Sequence, residues 1–275
     1  MSKSFNNLSY RVVVSIIGIP FIIILCLLGK IYFLIIPLGI GLISFYELAK
    51  MTRNKHSYAN LSAGLIIIFI IIINEYRPFI SLQLLILLSI LILLMLELFR
   101  NKESAISNLG TTLLGIFYLG FFSAALVDLR EFYNDSAFTY FQGGYLIISI
   151  LVTIWVCDSA AYFLGTALGK HKLMPRISPN KSWEGAIAGF IFSVITLIAA
   201  KALLLEFLEW RDIIAIGIII GILGQCGDLI ESMIKRDSRV KDSSSIIPGH
   251  GGILDRFDSL LFTAPAVYLY LKLIQ

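Results

Sequence analysis

Charge is what this chain has least of. Charged residues make up 15% of its 275 residues and hydrophobic ones 58%, whereas a soluble globular domain carries about 25% charge. That shortage argues against a soluble domain of this size. Cysteine is scarce too: Cys26, Cys157 and Cys226 sit in or beside apolar runs with no CxxC spacing, which leaves buried free thiols as the reading. A concentrated basic face is missing. The net charge is only +4, and the 12% aromatic residues are scattered through the apolar runs, so no nucleic-acid partner is expected. No small-x-small cleavage site closes the first apolar run after Lys3 and Arg11, so this run is expected to remain as a helix.

What the chain has instead is long apolar segments. A helical span needs about 20 residues to cross about 30 Å of hydrocarbon. Apolar runs at 12–28, 32–49, 61–73, 80–98, 109–127, 145–168, 186–205, 213–234 and 257–274 predict an all-α polytopic membrane protein with about nine transmembrane helices. Pro20 and Pro265 fall inside two of them, and Gly110, Gly115 and Gly120 favour close helix approach in the fifth. Residues 128–142 read as a net acidic polar connection, partly helical at the surface. The whole reads as one integral domain, with a scaffold at 1–140 and the functional site at 141–275.

Basic residues set the expected orientation. A cytoplasmic N-terminus puts Lys50, Arg53, Lys55, Arg100, Lys102, Lys170, Lys172, Arg176, Lys181, Lys235, Arg236, Arg239 and Lys241 on the inner side. Lys30, Arg77, Arg130 and Arg211 then fall outside with most of the acids, and the C-terminus is outside.

The stretch 224–258, GQCGDLIESMIKRDSRVKDSSSIIPGHGGILDRFD, departs from this apolar background. Charges near bilayer depth are costly unless paired or hydrated, so they mark a functional site. Asp228 and Glu231 are three apart and share a helix face, as do Asp255 and Asp258. Carboxylates on two helices suit a divalent cation that also takes phosphate oxygens. The plainer reading is that they neutralise Lys235, Arg236 and Arg256. The turn-rich run Ile247-Pro248-Gly249-His250-Gly251-Gly252 lets backbone N–H groups approach a ligand. His250 could donate to a phosphate, assist a proton transfer or cap the turn.

Two further features stand out. In SPNKSWEG, Ser178 or Asn180 would cap a helix starting near Ser182 or Trp183, with Glu184 in its first turn, and Lys181 and Ser182 could hold phosphates. Asp158 lies in the middle of an apolar run and should face the bundle interior, near Ser159 and Tyr162.

Ser232-Met-Ile-Lys235-Arg236, Lys241-Asp242 and Pro248-Gly-His250-Gly-Gly-Ile-Leu-Asp255-Arg256-Phe-Asp258 resemble the signature of the phosphatidate cytidylyltransferase (CDP-diacylglycerol synthase) family. GDLIES, CDSAAYFLG and SPNKSWEG extend the resemblance over most of 145–275. It implies transfer of a cytidylyl group from CTP to phosphatidic acid, with magnesium and a second cation, potassium, as cofactors. Carried onto this chain, it implies Asp228 and Asp255 at the metal, with Glu231 and Asp258 as further ligands. Lys181, Ser182, Lys235, Arg236, Lys241 and His250 would surround the phosphates, with Asp158, Gly251, Gly252 and Arg256 in the nucleotide site. The expected setting is a bacterial inner membrane with the site on the cytoplasmic side, in a protein able to form a homodimer. Competing readings are a related lipid nucleotidyltransferase, a polyprenol kinase, or an ion-coupled transporter, the last weakened by the absence of a clear internal repeat.

Overall fold

A computed structural model of the chain describes residues 2–134, 139–247 and 251–274. Helices dominate: α1 (Ser2–Leu28), α2 (Lys30–Phe33), α3 (Ile35–Met51), α4 (Leu61–Tyr76), α5 (Leu82–Leu98), α6 (Ala105–Gly115), α7 (Phe122–Glu131), α8 (Tyr140–Leu168), α9 (Trp183–Leu203), α10 (Trp210–Ile219), α11 (Gln225–Asp237) and α12 (Leu254–Ile274). π-helical turns at Ile116–Phe121 and Ile220–Gly224 join α6 to α7 and α10 to α11. Among the described residues, six continuous helical stretches are long and apolar enough to cross a membrane: Lys30–Lys55, Ala105–Glu131, Tyr140–Leu168, Trp183–Leu203, Trp210–Asp237 and Leu254–Ile274. Val14–Leu28, Leu61–Tyr76 and Leu82–Leu98 are shorter apolar helices. The chain is an integral membrane protein.

Local chemistry fixes several helix starts. A helix leaves its first N–H groups without partners. Asn60 and Ser81 accept from the N–H groups of Ala63 and Leu84, and Ser104 accepts from Ser107. At α10, Glu209 and Asp212 form a reciprocal capping box. Along α5, Leu84, Leu87, Leu91, Leu94 and Leu98 are all exposed. Their spacing of three and four residues makes one apolar stripe, as a lipid-facing helix requires.

The chain forms two compact units, one of Met1–Ile22, Ile31–Asp128 and Lys235–Arg256, the other of Ile23–Lys30, Leu129–Ile234 and Phe257–Gln275. In the first, α3, α4, α6 and the first π turn pack together. Phe45 of α3, 0% exposed, fits between Gly64 and Gly115, where an added Cβ would come within 2.1 and 2.4 Å of its ring. In the second unit α8 runs along α9, and α9 packs on α10. A Cβ on Gly185 would meet the Ala161 carbonyl oxygen at 2.6 Å. Lipid offers no hydrophobic drive for helix association, so small residues that admit close backbone contact set this seam.

Three features differ from the sequence expectation. The connection between α8 and α9 holds a short antiparallel hairpin, β1 (Lys172–Met174) with β2 (Ser178–Ser182), pairing Lys172 with Ser182 and Met174 with Ser178. Strands this short present too few residues for an alternating pattern to register. The cap of α9 is Ser182, which accepts from the Gly185 N–H at 3.2 Å, because Ser178 and Asn180 belong to β2. Residues 128–142 are partly helical, as expected, since α7 continues to Glu131 and α8 begins at Tyr140, while 135–138 lie outside the described residues. Arg130, expected on that connection, is fully buried. Its Nε donates to the Cys26 carbonyl at 2.7 Å and its Nη1 to the Tyr140 carbonyl at 2.9 Å, and its guanidinium lies over the Tyr140 ring. A guanidinium can end the last turn of α1 in this way because it donates in several directions at once.

Candidate active site

Three carboxylates meet in the second unit. Asp228 and Glu231 lie on one face of α11, and Asp258 lies near the start of α12. One oxygen from each falls within 4.8 Å of the other two. Glu231 is completely buried, and Asp228 and Asp258 are half-buried. Gly227 permits this meeting, since a Cβ there would stand 2.6 Å from the Asp258 carbonyl oxygen. The π turn at Ile220–Gly224 immediately precedes α11, and such turns recur near functional residues.

The surroundings of the group mix charges of both signs. Lys181 Nζ lies 2.5 Å from Asp228 Oδ2, and the Ser232 hydroxyl lies 3.4 Å from Asp228 Oδ1. Asp258 accepts the Ser259 N–H at 2.7 Å, and Asp158, Asp228 and Lys181 all lie close enough to interact with it electrostatically. Two like charges 4 Å apart repel by about 4 kcal/mol at an effective dielectric constant near 20. An all-oxygen set of carboxylates gathered at this spacing fits a hard divalent cation such as magnesium. The Asp228 side chain is 33% exposed, so the group can be reached from outside the protein.

A second polar cluster belongs to the first unit. Lys235 Nζ donates to Asp255 Oδ1 at 2.7 Å. Asp255 Oδ2 accepts the Ser243 N–H at 3.0 Å, the Ser243 hydroxyl at 2.9 Å and the Gly252 N–H at 2.8 Å. Gly251 adopts φ +88°, a left-handed conformation suited to glycine. Its N–H and C=O bridge to Ile247. Arg236, exposed, donates to the Val240 carbonyl at 3.2 Å, and Lys241 and Arg256 are exposed.

The residues expected at the site are therefore found in different settings. Asp228, Glu231 and Asp258 come together with Lys181 on them. Ser182 is the α9 cap. Asp255 is bonded to Lys235 and to the 243–252 backbone. Asp158, expected to face the interior, is exposed on α8, as is Tyr162, yet it lies close enough to Asp258 to interact with it electrostatically. His250 lies outside the described residues. The charge pattern did not single out Gly227 or Glu47. Glu47 carried the same signal as Asp158, a lone acid inside an apolar run.

The pattern common to the cytidylyltransferase family matches residues 9–274. The chain is 31% identical over 272 residues to a phosphatidate cytidylyltransferase of Bacillus subtilis, covering 97% of this chain and 98% of that protein. It is 32% identical over 268 residues to a protein of the same name from Brucella suis, covering 96% and 93%. A third, from Staphylococcus aureus strain COL, is 33% identical over 269 residues, covering 95% and 98%.

Proposed function

The chain belongs to the cytidylyltransferase family, and from that premise we propose that it transfers the cytidylyl group of CTP to phosphatidic acid, giving CDP-diacylglycerol and pyrophosphate. The observation that carries the reading is the convergence of Asp228, Glu231 and Asp258 within 4.8 Å, with Lys181 on Asp228.

In this reaction an oxygen of the phosphatidate phosphate attacks the α-phosphorus of CTP, and the bond to the β-phosphate oxygen breaks. The nucleophile is already ionised near neutral pH, so positioning and charge neutralisation matter more than a protein base. Asp228, Glu231 and Asp258 would hold magnesium, which would supply neutralisation of phosphate charge and polarisation of the α-phosphate. Lys181 moves between Asp228 and phosphate oxygens, and Ser182 holds the start of α9 so that Lys181 keeps its place. Lys235, Arg236, Lys241 and Arg256 supply positive charge to the phosphates, and Gly251 and Gly252 supply backbone N–H groups near them. Asp255 aims Lys235, Asp158 contributes to the nucleotide end of the site, and His250 donates to a phosphate.

The short apolar helices Val14–Leu28, Leu61–Tyr76 and Leu82–Leu98 are further spans in this reading, which makes nine. The basic connections support a cytoplasmic N-terminus and a site on the cytoplasmic side, in this reading of a bacterial inner membrane, where CTP meets a lipid headgroup. The test supplies purified protein with labelled CTP, phosphatidate and magnesium. Labelled CDP-diacylglycerol with stoichiometric pyrophosphate is expected. Product only with a polyprenol in place of phosphatidate, or no product with magnesium or with any other divalent ion, would refute the assignment.

A further inference from the structure

We infer that Glu47, on α3, is a positioning residue for the loop between α11 and α12, and through it for Lys235; this rests on the phosphate role proposed for Lys235. Glu47 is 0% exposed, and a buried carboxylate is very costly unless donors surround it. Here they do. Oε1 accepts the Ser244 hydroxyl at 2.5 Å and the Ile253 N–H at 3.0 Å. Oε2 accepts the Ser243 hydroxyl at 3.1 Å and the Leu254 N–H at 2.9 Å. Every one of these donors comes from residues 243–254, about two hundred positions along the chain from Glu47.

Two of the donors are backbone N–H groups at the start of α12, where a helix presents unpaired donors and partial positive charge. Glu47 thus caps α12 from another helix. The other two donors are hydroxyls of the loop. The single Ser243 hydroxyl proton is shared between Glu47 Oε2 and Asp255 Oδ2, the Ser243 N–H donates to Asp255 Oδ2 at 3.0 Å, and Asp255 holds Lys235 at 2.7 Å. A continuous chain runs Glu47, Ser243, Asp255, Lys235. Gly252 closes the arrangement, since a Cβ there would meet Ser243 Oγ at 1.9 Å and Glu47 Oε1 at 2.6 Å. The two carboxylates divide the work: Asp255 aims the lysine, and Glu47 fixes the loop and helix end on which Asp255 depends.

The test compares Glu47→Gln, Ser244→Ala and, as a control for a buried acid elsewhere, Glu97→Gln in purified full-length protein. Two quantities are read: kcat and KM for CTP, and the rate of tryptic cleavage after Lys241, which is exposed. Losing a hydrogen bond to a charged group is expected to change each quantity by about tenfold in Glu47→Gln, with a smaller change of the same sign in Ser244→Ala. Glu97→Gln should leave both unchanged. Wild-type values in a folded Glu47→Gln protein would overturn the inference. If that variant does not fold, Ser244→Ala decides: faster cleavage with lower kcat supports the role, and unchanged values overturn it. If the wild-type protein makes no CDP-diacylglycerol, the functional reading fails, and the cleavage rates alone decide whether Glu47 holds the loop.

Discussion

Two acidic clusters in this molecule use the same residue types to opposite ends. In the first unit Glu97 is buried among donors: Asn108 Nδ2 at 2.6 Å and Arg100 Nη1 at 3.4 Å. Arg100 also donates to the Tyr58 carbonyl at 2.7 Å, and Asn108 accepts the Tyr58 N–H at 2.7 Å. The carboxylate ties α5, α6 and the segment before α4 together. In the second unit Asp228, Glu231 and Asp258 are gathered on one another. A carboxylate facing donors serves the fold, whereas carboxylates gathered on one another repel and suit the cation proposed for them.

The contrast can be broken by substitution, and the largest effect belongs to the group of Asp228, Glu231 and Asp258. Asp228→Asn and Asp258→Asn should each lower kcat by about a thousandfold or more, as loss of a metal-holding or charge-stabilising group does, while circular dichroism shows unchanged helix content. Gly227→Ala comes next. Its methyl would force α11 and α12 apart beside Asp258, and misplacement by about 1 Å can cost about a hundredfold in turnover, measured as kcat with magnesium saturating. Lys181→Ala should raise KM for CTP about tenfold, the worth of one charge-assisted contact, in initial-rate kinetics. Glu97→Gln stands at the other end. It should leave kcat unchanged while lowering stability by about 3 kcal/mol, the cost of breaking a buried charge pair, seen as a lower thermal midpoint in detergent.

Much of this was legible in the residues. Apart from α1, which begins at Ser2 and not at the start of its apolar run, the apolar runs gave the helices to within about five positions, because a membrane span must satisfy its backbone internally and so must be long, apolar and helical. Asp228, Glu231 and Asp258 stood out because charge is rare in such segments. The hairpin at 172–182 was not legible, since strands of three and five residues carry too little period. Nor were the π turns, for Ile116–Phe121 and Ile220–Gly224 are as apolar as the helices they interrupt. The burial of Arg130 and the contacts of Glu47 were not legible for one reason: their partners include main-chain groups far along the sequence, and main-chain donors and acceptors have no sequence signature. Asp255 shows the same limit: its bonds to the Ser243 and Gly252 N–H groups and to Lys235 could not be read from a spacing that matches that of Asp228 and Glu231.

Manganese binding followed by electron paramagnetic resonance tests the central assignment most directly, with wild-type protein and Asp258→Asn compared in detergent without nucleotide. The carboxylate group predicts a bound manganese signal in the wild type that magnesium competes away and that is lost or weakened at least about tenfold in the variant. Manganese bound to Asp258→Asn with wild-type stoichiometry and affinity would contradict it.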